Sequence, residues 1–231
     1  MSWLADGCLA TVWQTLHRWK LVYRRGRRAV HSPDGDYPTK VQRLETIAWY
    51  SRTYPEQIVR LYEDEVTYYR RPTVAQGYAP AGSRVPCAEQ GYGSNTARRI
   101  AACLDTHTGQ LFAWQRAHFD RHTLLRFYQE VEQSYPQAEQ IFLIHDNWSV
   151  HRHPDLAAGL RGSKMTVVLL PTYAPWLNPV EKVWRQLYAE VLHLHPWVDA
   201  WEQEQVAVQA WLDRWAHGSS DLLRSVGLSP G

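Results

Sequence analysis

The chain has 231 residues, 45% of them hydrophobic, enough for one sizeable core and a small appendage. Its formal net charge is only +2, and its three cysteines, Cys8, Cys87 and Cys103, form no CxxC pair, which excludes a disulfide framework and a cysteine-based zinc site. There is no apolar N-terminal signal core and no apolar run near the roughly 18 residues a membrane span needs, so a soluble cytoplasmic protein is expected. The twelve Trp and thirteen Tyr are expected to be mostly core.

In chain order, Leu9, Val12, Leu16 and Trp19 recur at helical spacing and predict one short helix. No acidic residue occurs between Asp6 and Asp34, while Arg18, Lys20, Arg24, Arg25, Arg27 and Arg28 all fall there, interleaved with Trp19 and Tyr23. Such a run suits a DNA phosphate backbone, the alternative being a solvated basic turn. Gly26, Pro33, Gly35 and Pro38 mark residues 26 to 38 as a linker, dividing the chain into residues 1–38 and a main domain of residues 39–231. A helix is predicted over 39–52, with Leu44, Ile47 and Ala48 on its apolar face.

The β-branched and aromatic residues of 57–69 predict a strand. Residues 71–95 are rich in Pro, Gly and Ala and read as irregular, with room for a short strand near Val85. Strands follow at 97–104 and 110–116, joined by the turn Asp105-Thr-His-Thr-Gly109. A helix is predicted over 120–134, capped by Asp120 and burying Leu124, Phe127, Tyr128 and Val131. Then come a strand at 140–145, a helix after Pro154, a strand at 165–170, a helix at 179–194 and a last helix over 198–217. Three meandering strands followed by alternating strands and helices argue for an α/β fold with a mixed sheet. In such sheets chemistry gathers at the carboxyl ends of strands.

Three acids stand at element ends or on a central strand: Asp64, Asp146 directly after a strand, and Glu181 in the first turn of a helix. Converging carboxylates suit hard divalent cations, and two such ions can drive an in-line displacement at phosphorus. Asp64 lies between Glu63 and Glu65, and spacing leaves open which of the three faces a site. Taken singly, each acid reads equally as a turn, a cap or a helix-dipole partner. Asn178 is read as the cap that positions Glu181. Arg70 and Arg71 are read as phosphate contacts or a solvated pair.

The stretch Ile141-Phe-Leu-Ile-His-Asp-Asn-Trp-Ser-Val-His151 resembles the strand-Asp-Asn-x-x-x-His block of mariner-type DDE transposases. So does Leu169-Leu-Pro-Thr-Tyr-Ala-Pro-Trp-Leu-Asn-Pro-Val-Glu-Lys-Val-Trp184. Positions 146 and 181 leave 34 residues between them, matching the family's spacing. Leu61-Tyr-Glu-Asp-Glu-Val66 is similar to the family's first strand, which picks Asp64. The resemblance is nearest the bacterial insertion-sequence branch. It implies a ribonuclease H-like mixed sheet flanked by helices, with a short helical N-terminal remnant of a helix-turn-helix unit. It implies Asp64, Asp146 and Glu181 as catalytic metal ligands for two Mg²⁺ or Mn²⁺ ions. It also implies cleavage at transposon ends and joining of the 3′ hydroxyl to target DNA. Around the acids, Asn147 is read as orienting Asp146, contacting a phosphate or making a turn, and His151 as a DNA contact or a structural hydrogen bond. DNA is the expected partner, in a nucleoid-associated protein. A homodimer that pairs two ends and a separate N-terminal DNA-binding partner are further expectations. A catalytically idle DNA-binding remnant is the alternative function, and a ribonuclease or junction nuclease is a third.

Overall fold

The computed structural model describes residues 8–23, 31–82, 85–148 and 153–229. The chain forms two compact units, Met1–His31 and Ser32–Gly231. In the first, α1 (Leu9–Arg18) is an amphipathic helix with no buried residue. His17 and Arg18 occupy its last turn, where positive charge complements the helix dipole. Arg24, Arg25, Arg27 and Arg28 lie outside the described residues.

The second unit is a five-stranded mixed sheet with helices on both faces. Helix α2 (Tyr37–Thr53) precedes strands β1 (Ile58–Tyr69), β2 (Ala97–Asp105) and β3 (Leu111–Arg116). Helix α3 (Arg121–Gln133), β4 (Gln140–His145), α4 (Pro154–Gly159) and β5 (Met165–Leu169) follow. Helices α5 (Val180–Leu187), α6 (Trp201–Asp213) and α7 (Ser220–Val226) complete it. The strand order is β3-β2-β1-β4-β5. β1 pairs antiparallel with β2 and parallel with β4, so it is the strand where the sheet changes character.

Side chains alternate across β1, as the pleat requires. Tyr62 and Tyr68 join the core beneath α2, α5, α6 and α7. Val59 and Leu61 join the opposite core, beneath α3 and α4. The short strand β4 is buried on both faces: Ile144 packs into the first core, Ile141 and Leu143 into the second. That explains its nearly continuous apolar sequence.

The predicted elements form, with instructive departures. Leu124, Phe127, Tyr128 and Val131 are buried on α3, and the Asp120 side chain accepts from the Thr123 backbone N–H. Among the described residues no strand forms near Val85. The helix expected to run to 194 loosens after Leu187 into a π turn, Tyr188–Leu192. The last predicted helix ends at Asp213; Gly218, at φ +86°, breaks the chain direction, and Ser219 caps a separate α7. Among the described Trp and Tyr residues, Trp184, Trp211, Tyr62, Tyr68 and Tyr128 are buried; Trp114, Trp148, Trp197, Trp201, Trp215, Tyr135 and Tyr188 pack partly buried against the cores, while Trp13, Trp19, Trp49 and Trp176 are exposed. No helix among the described residues is long and apolar enough to cross a membrane.

The β2–β3 turn meets the loop before α7. Gly109 has φ +71°, and a Cβ there would lie 2.2 Å from the Ser219 carbonyl oxygen. Gly109→Ala is therefore expected to destabilise the protein by about 2 kcal/mol or more, combining left-handed strain with a backbone clash. Urea unfolding measures it, and a loss below about 0.5 kcal/mol would contradict this packing.

Candidate active site

The pleat of β1 separates Glu63 from Asp64, while Glu65 lines the smaller of two cavities together with Asp64. Glu63 is fully buried on the α3 face. There, after burial itself, its charge pushes the Cys103 thiol and the Tyr128 hydroxyl well above their usual ranges. Asp64 points to the other face, toward α5, where the Trp184 indole N–H donates to its Oδ2 at 2.9 Å. Asp146 follows the last residue of β4, exposed, with Oδ1 accepting from the Trp148 backbone N–H at 2.8 Å. Glu181 lies in the first turn of α5. Two adjoining cavities, of about 700 and 650 Å³, are each lined by Asp64, Asp146 and Glu181. The structure thus gathers the three acids singled out in the sequence from a central strand, a strand end and a helix start.

The N-terminus of α5 is tied to β1 by one buried side chain. Asn178 donates from Nδ2 to the Glu63 carbonyl at 3.0 Å, and its Oδ1 accepts from the Val180 N–H at 3.1 Å. The first contact anchors the strand residue next to Asp64; the second caps the helix that carries Glu181. The capping role expected of Asn178 is realised on the first helical N–H, with Pro179 between them. Asn147 donates from Nδ2 to the Leu170 carbonyl at 2.9 Å, which braces the end of β4 against the chain after β5.

Other candidates have different surroundings. Arg70 donates to the Val198 carbonyl at 2.6 Å, and Arg71 to the Gly93 carbonyl at 3.2 Å, so both guanidinium groups are engaged within the chain. Arg18 and Lys20 are exposed in the first unit. His151 lies outside the described residues. Three residues of the site were not singled out in the sequence. Trp184 stands three positions after Glu181, a spacing that puts both on one helix face. Lys40 lines the larger cavity. Asp34, within the segment read as linker, holds Lys40 and the Thr172 backbone N–H. Tyr173, beside Thr172, is exposed with φ +54°, a conformation uncommon for a bulky residue and worth attention at a site rim.

The electrostatics follow from crowding. Burial, then the charge of Glu181, raises the Asp64 carboxyl to about 7, against the lowering effect of the Trp184 hydrogen bond. Burial also raises Glu181, with Arg185 opposing and Asp146 adding to the shift. The donors are all carboxylate oxygens, the chemistry that Mg²⁺ and Mn²⁺ prefer, and a divalent cation would relieve the repulsion that raises Asp64. Among the described residues no three acids, histidines or cysteines form a ready-made metal cage.

Two expectations follow. The folded Asp64 carboxyl, at about 7, lies above its unfolded value near 3.9, so the metal-free protein loses stability as pH rises between them. Asp64→Asn removes that penalty: its unfolding free energy should exceed that of wild type by a margin that grows from pH 4 to 7, by about 1.4 kcal/mol per pH unit at most, and then levels off, with the melting temperature following the same trend. A margin independent of pH across calorimetric scans would refute the raised carboxyl. Asn178→Ala leaves the Glu63 carbonyl and the Val180 N–H without partners in a buried place. It should cost about 2 kcal/mol in urea unfolding, and a neutral result would show that the bridge is dispensable.

With this geometry in place, comparison with known proteins is informative. Residues 59–202 match the family of DDE superfamily endonucleases. The chain is 23% identical over 193 residues to the "Insertion element IS630 uncharacterized 39 kDa protein" of Shigella sonnei, covering 81% of this chain and 55% of that protein. It thus spans about half the length of that curated relative. Among solved structures it is similar to the Mos1 mariner paired end complex with Mn, with TM-score 0.65, 15% identity, and coverage of 94% of this chain and 66% of that one. It is also similar to the catalytic domain of Mos1 mariner transposase, with TM-score 0.53, 13% identity, and coverage of 87% and 91%. These likenesses establish a ribonuclease H-like fold, as the sequence motifs implied. The family match spans most of the sheet and all three acids, and the chain belongs to the family of DDE superfamily endonucleases.

Proposed function

We propose that this chain is the catalytic part of an insertion-sequence transposase of the mariner type. It cleaves DNA at transposon ends and joins the freed 3′ hydroxyl to target DNA. The observation that carries this reading is the convergence of Asp64, Asp146 and Glu181 on one pair of cavities beside the central strand of a ribonuclease H-like sheet. The solved neighbours include a Mos1 paired end complex with Mn and a Mos1 strand transfer complex, which supports divalent metal and DNA as the classes to test.

In this reading Asp64, Asp146 and Glu181 would hold two Mg²⁺ or Mn²⁺ ions through their carboxylate oxygens. When bound, such a pair activates the attacking oxygen and stabilises the leaving oxygen of an in-line displacement. The chain's own residues prepare that arrangement. Trp184 fixes one oxygen of Asp64, and Asn178 holds the Glu181 helix against β1. Asp146 keeps one oxygen on the Trp148 N–H. Water is the first nucleophile and a DNA 3′ hydroxyl the second. Arg18, Lys20, Arg24, Arg25, Arg27 and Arg28 provide non-specific affinity for the phosphate backbone, with Arg70 and Arg71 as secondary contacts. A pair of copies brings two ends together, and a separate N-terminal DNA-binding partner supplies end recognition, in a nucleoid-associated complex.

Nicking of supercoiled plasmid in Mg²⁺ or Mn²⁺ tests the reading. Asp64→Ala, Asp146→Ala and Glu181→Ala should each reduce nicking to background while keeping a cooperative unfolding transition. Undiminished nicking by Asp146→Ala would end the proposal. Wild-type chain that binds plasmid in Mn²⁺ without nicking it would favour an idle remnant, and preference for RNA hybrids or four-way junctions would favour the other nucleases of this fold.

A further inference from the structure

The segment just before α2 is latched onto the loop that forms one wall of the acidic cavity. The Asp34 carboxylate accepts from the Thr172 backbone N–H at 2.8 Å, from the Lys40 ammonium at 2.7 Å and from the Asp36 backbone N–H at 3.0 Å. Ser32 donates to the Thr172 carbonyl at 2.5 Å, so residue 172 is held through both of its backbone groups. The result is a fixed position for Lys40, whose side chain reaches the cavity shared by Asp64, Asp146 and Glu181. Lys40 is the one basic side chain among the described residues lining that cavity.

The environment of Lys40 departs from that of an ordinary surface ion pair. The Asp34 side chain is 8% exposed and that of Lys40 30%. An ammonium has three N–H donors, and among the described residues one acceptor, Asp34, is in hydrogen-bond reach. Two donors therefore remain, beside a cavity whose other charged lining groups are carboxylates. Those carboxylates repel a phosphodiester, and a fixed positive charge at the wall offsets part of that repulsion. The pair is largely buried, so desolvation of both charges offsets much of their attraction, and stability alone is a weak reason to immobilise a lysine there.

We propose that Lys40 is a phosphate-contacting residue of this site, held over the cavity by Asp34. The inference rests on the reading that the cavity receives a phosphodiester, and it adds the group that grips it. The hydrogen bond from Lys40, then that from Thr172, lowers the Asp34 carboxyl to about 2, so the latch stays charged at any pH where the protein works.

The test compares the full-length wild type with Lys40→Met, Lys40→Arg and Asp34→Asn. Binding to a labelled mixed-sequence duplex is followed by anisotropy across salt concentrations, with Ca²⁺ as the metal, and nicking is then measured in Mg²⁺. Loss of one phosphate contact lowers the slope of log affinity against log salt by about one. Lys40→Met should show that drop and raise KM for DNA more than it lowers kcat. Lys40→Arg should restore the slope. Asp34→Asn keeps the positive charge and so should keep the slope, while kcat falls because the ammonium is no longer held in place. If Lys40 served only as a latch, Lys40→Met and Asp34→Asn would behave alike, and equal slopes for wild type and Lys40→Met overturn the proposal. A wild type that binds with a Lys40-dependent slope yet never nicks removes the nuclease reading and leaves the contact standing. Wild-type nicking with an unchanged Lys40→Met slope does the reverse.

Discussion

Burying like charges together is unfavourable, and this protein gathers three carboxylates around one pair of cavities. The strain registers most at Asp64, which burial and Glu181 raise to about 7. A flexible site would relieve it by letting the acids drift apart. Here drift is opposed by three kinds of support. Asp64 is set in the central strand, paired with Ala102 of β2 and two residues beyond the last parallel partner from β4, Tyr62 with Ile144. Glu181 sits on a helix whose first turn is pinned to that strand by Asn178. Asp146 follows a strand whose end is braced through Asn147 to the Leu170 carbonyl. Burial and the neighbouring carboxylate together hold Asp64 above its usual range, and a bound divalent cation would favour its charged form.

The sheet makes this arrangement compatible with a stable core. β1 has antiparallel and parallel neighbours, and its residues Leu61, Tyr62 and Glu63 are buried while Asp64 to Thr67 are half-buried. Three successive acids there would be hard to accommodate if all faced one way. The pleat sends Glu63 into the α3 face, near Cys103 and Tyr128, and Asp64 toward Trp184. One carboxylate is absorbed by the second core while its neighbour reaches the cavity. A one-residue slip of β1 would exchange these roles, so the pairing register with β2 and β4 determines which acid is presented.

Much of this was legible in the sequence where the signal was local. The run Gln140 to His145 is bounded by turn residues and buried on both faces, and its limits were readable to the residue. The Leu-Asn-Pro-x-Glu stretch announced both the helix start and the acid on it. The choice among Glu63, Asp64 and Glu65 was not legible from spacing, because it depends on which face each helix covers. The aromatic content divides for the same reason: seven of the described Trp lie in or against the cores, while Trp13, Trp19, Trp49 and Trp176 are exposed. The segment 32–36 carried Pro and Gly and read as linker. Its contacts with Thr172 bridge more than a hundred positions, and no local pattern encodes a partner that distant.

That latch changes how the N-terminal part of the chain relates to the chemistry. The acids, the Asn178 bridge, the Trp184 contact and Lys40 all belong to Ser32–Gly231, and the basic run from Arg18 to Arg28 belongs to Met1–His31. In the proposed function, gripping the reacting phosphate and gathering DNA by its backbone would fall to different units. The first needs fixed geometry, because misplacing a reacting group by an ångström costs rate steeply. The second needs only charge, whose attraction is long-ranged and tolerant of position. The distribution of order follows the same division. Asp34 receives its donors from a loop and a helix of the larger unit, whereas α1 presents its basic last turn without burying a single residue. In the proposed reading, the boundary after His31 separates the acids and Lys40 from the basic run of the first unit.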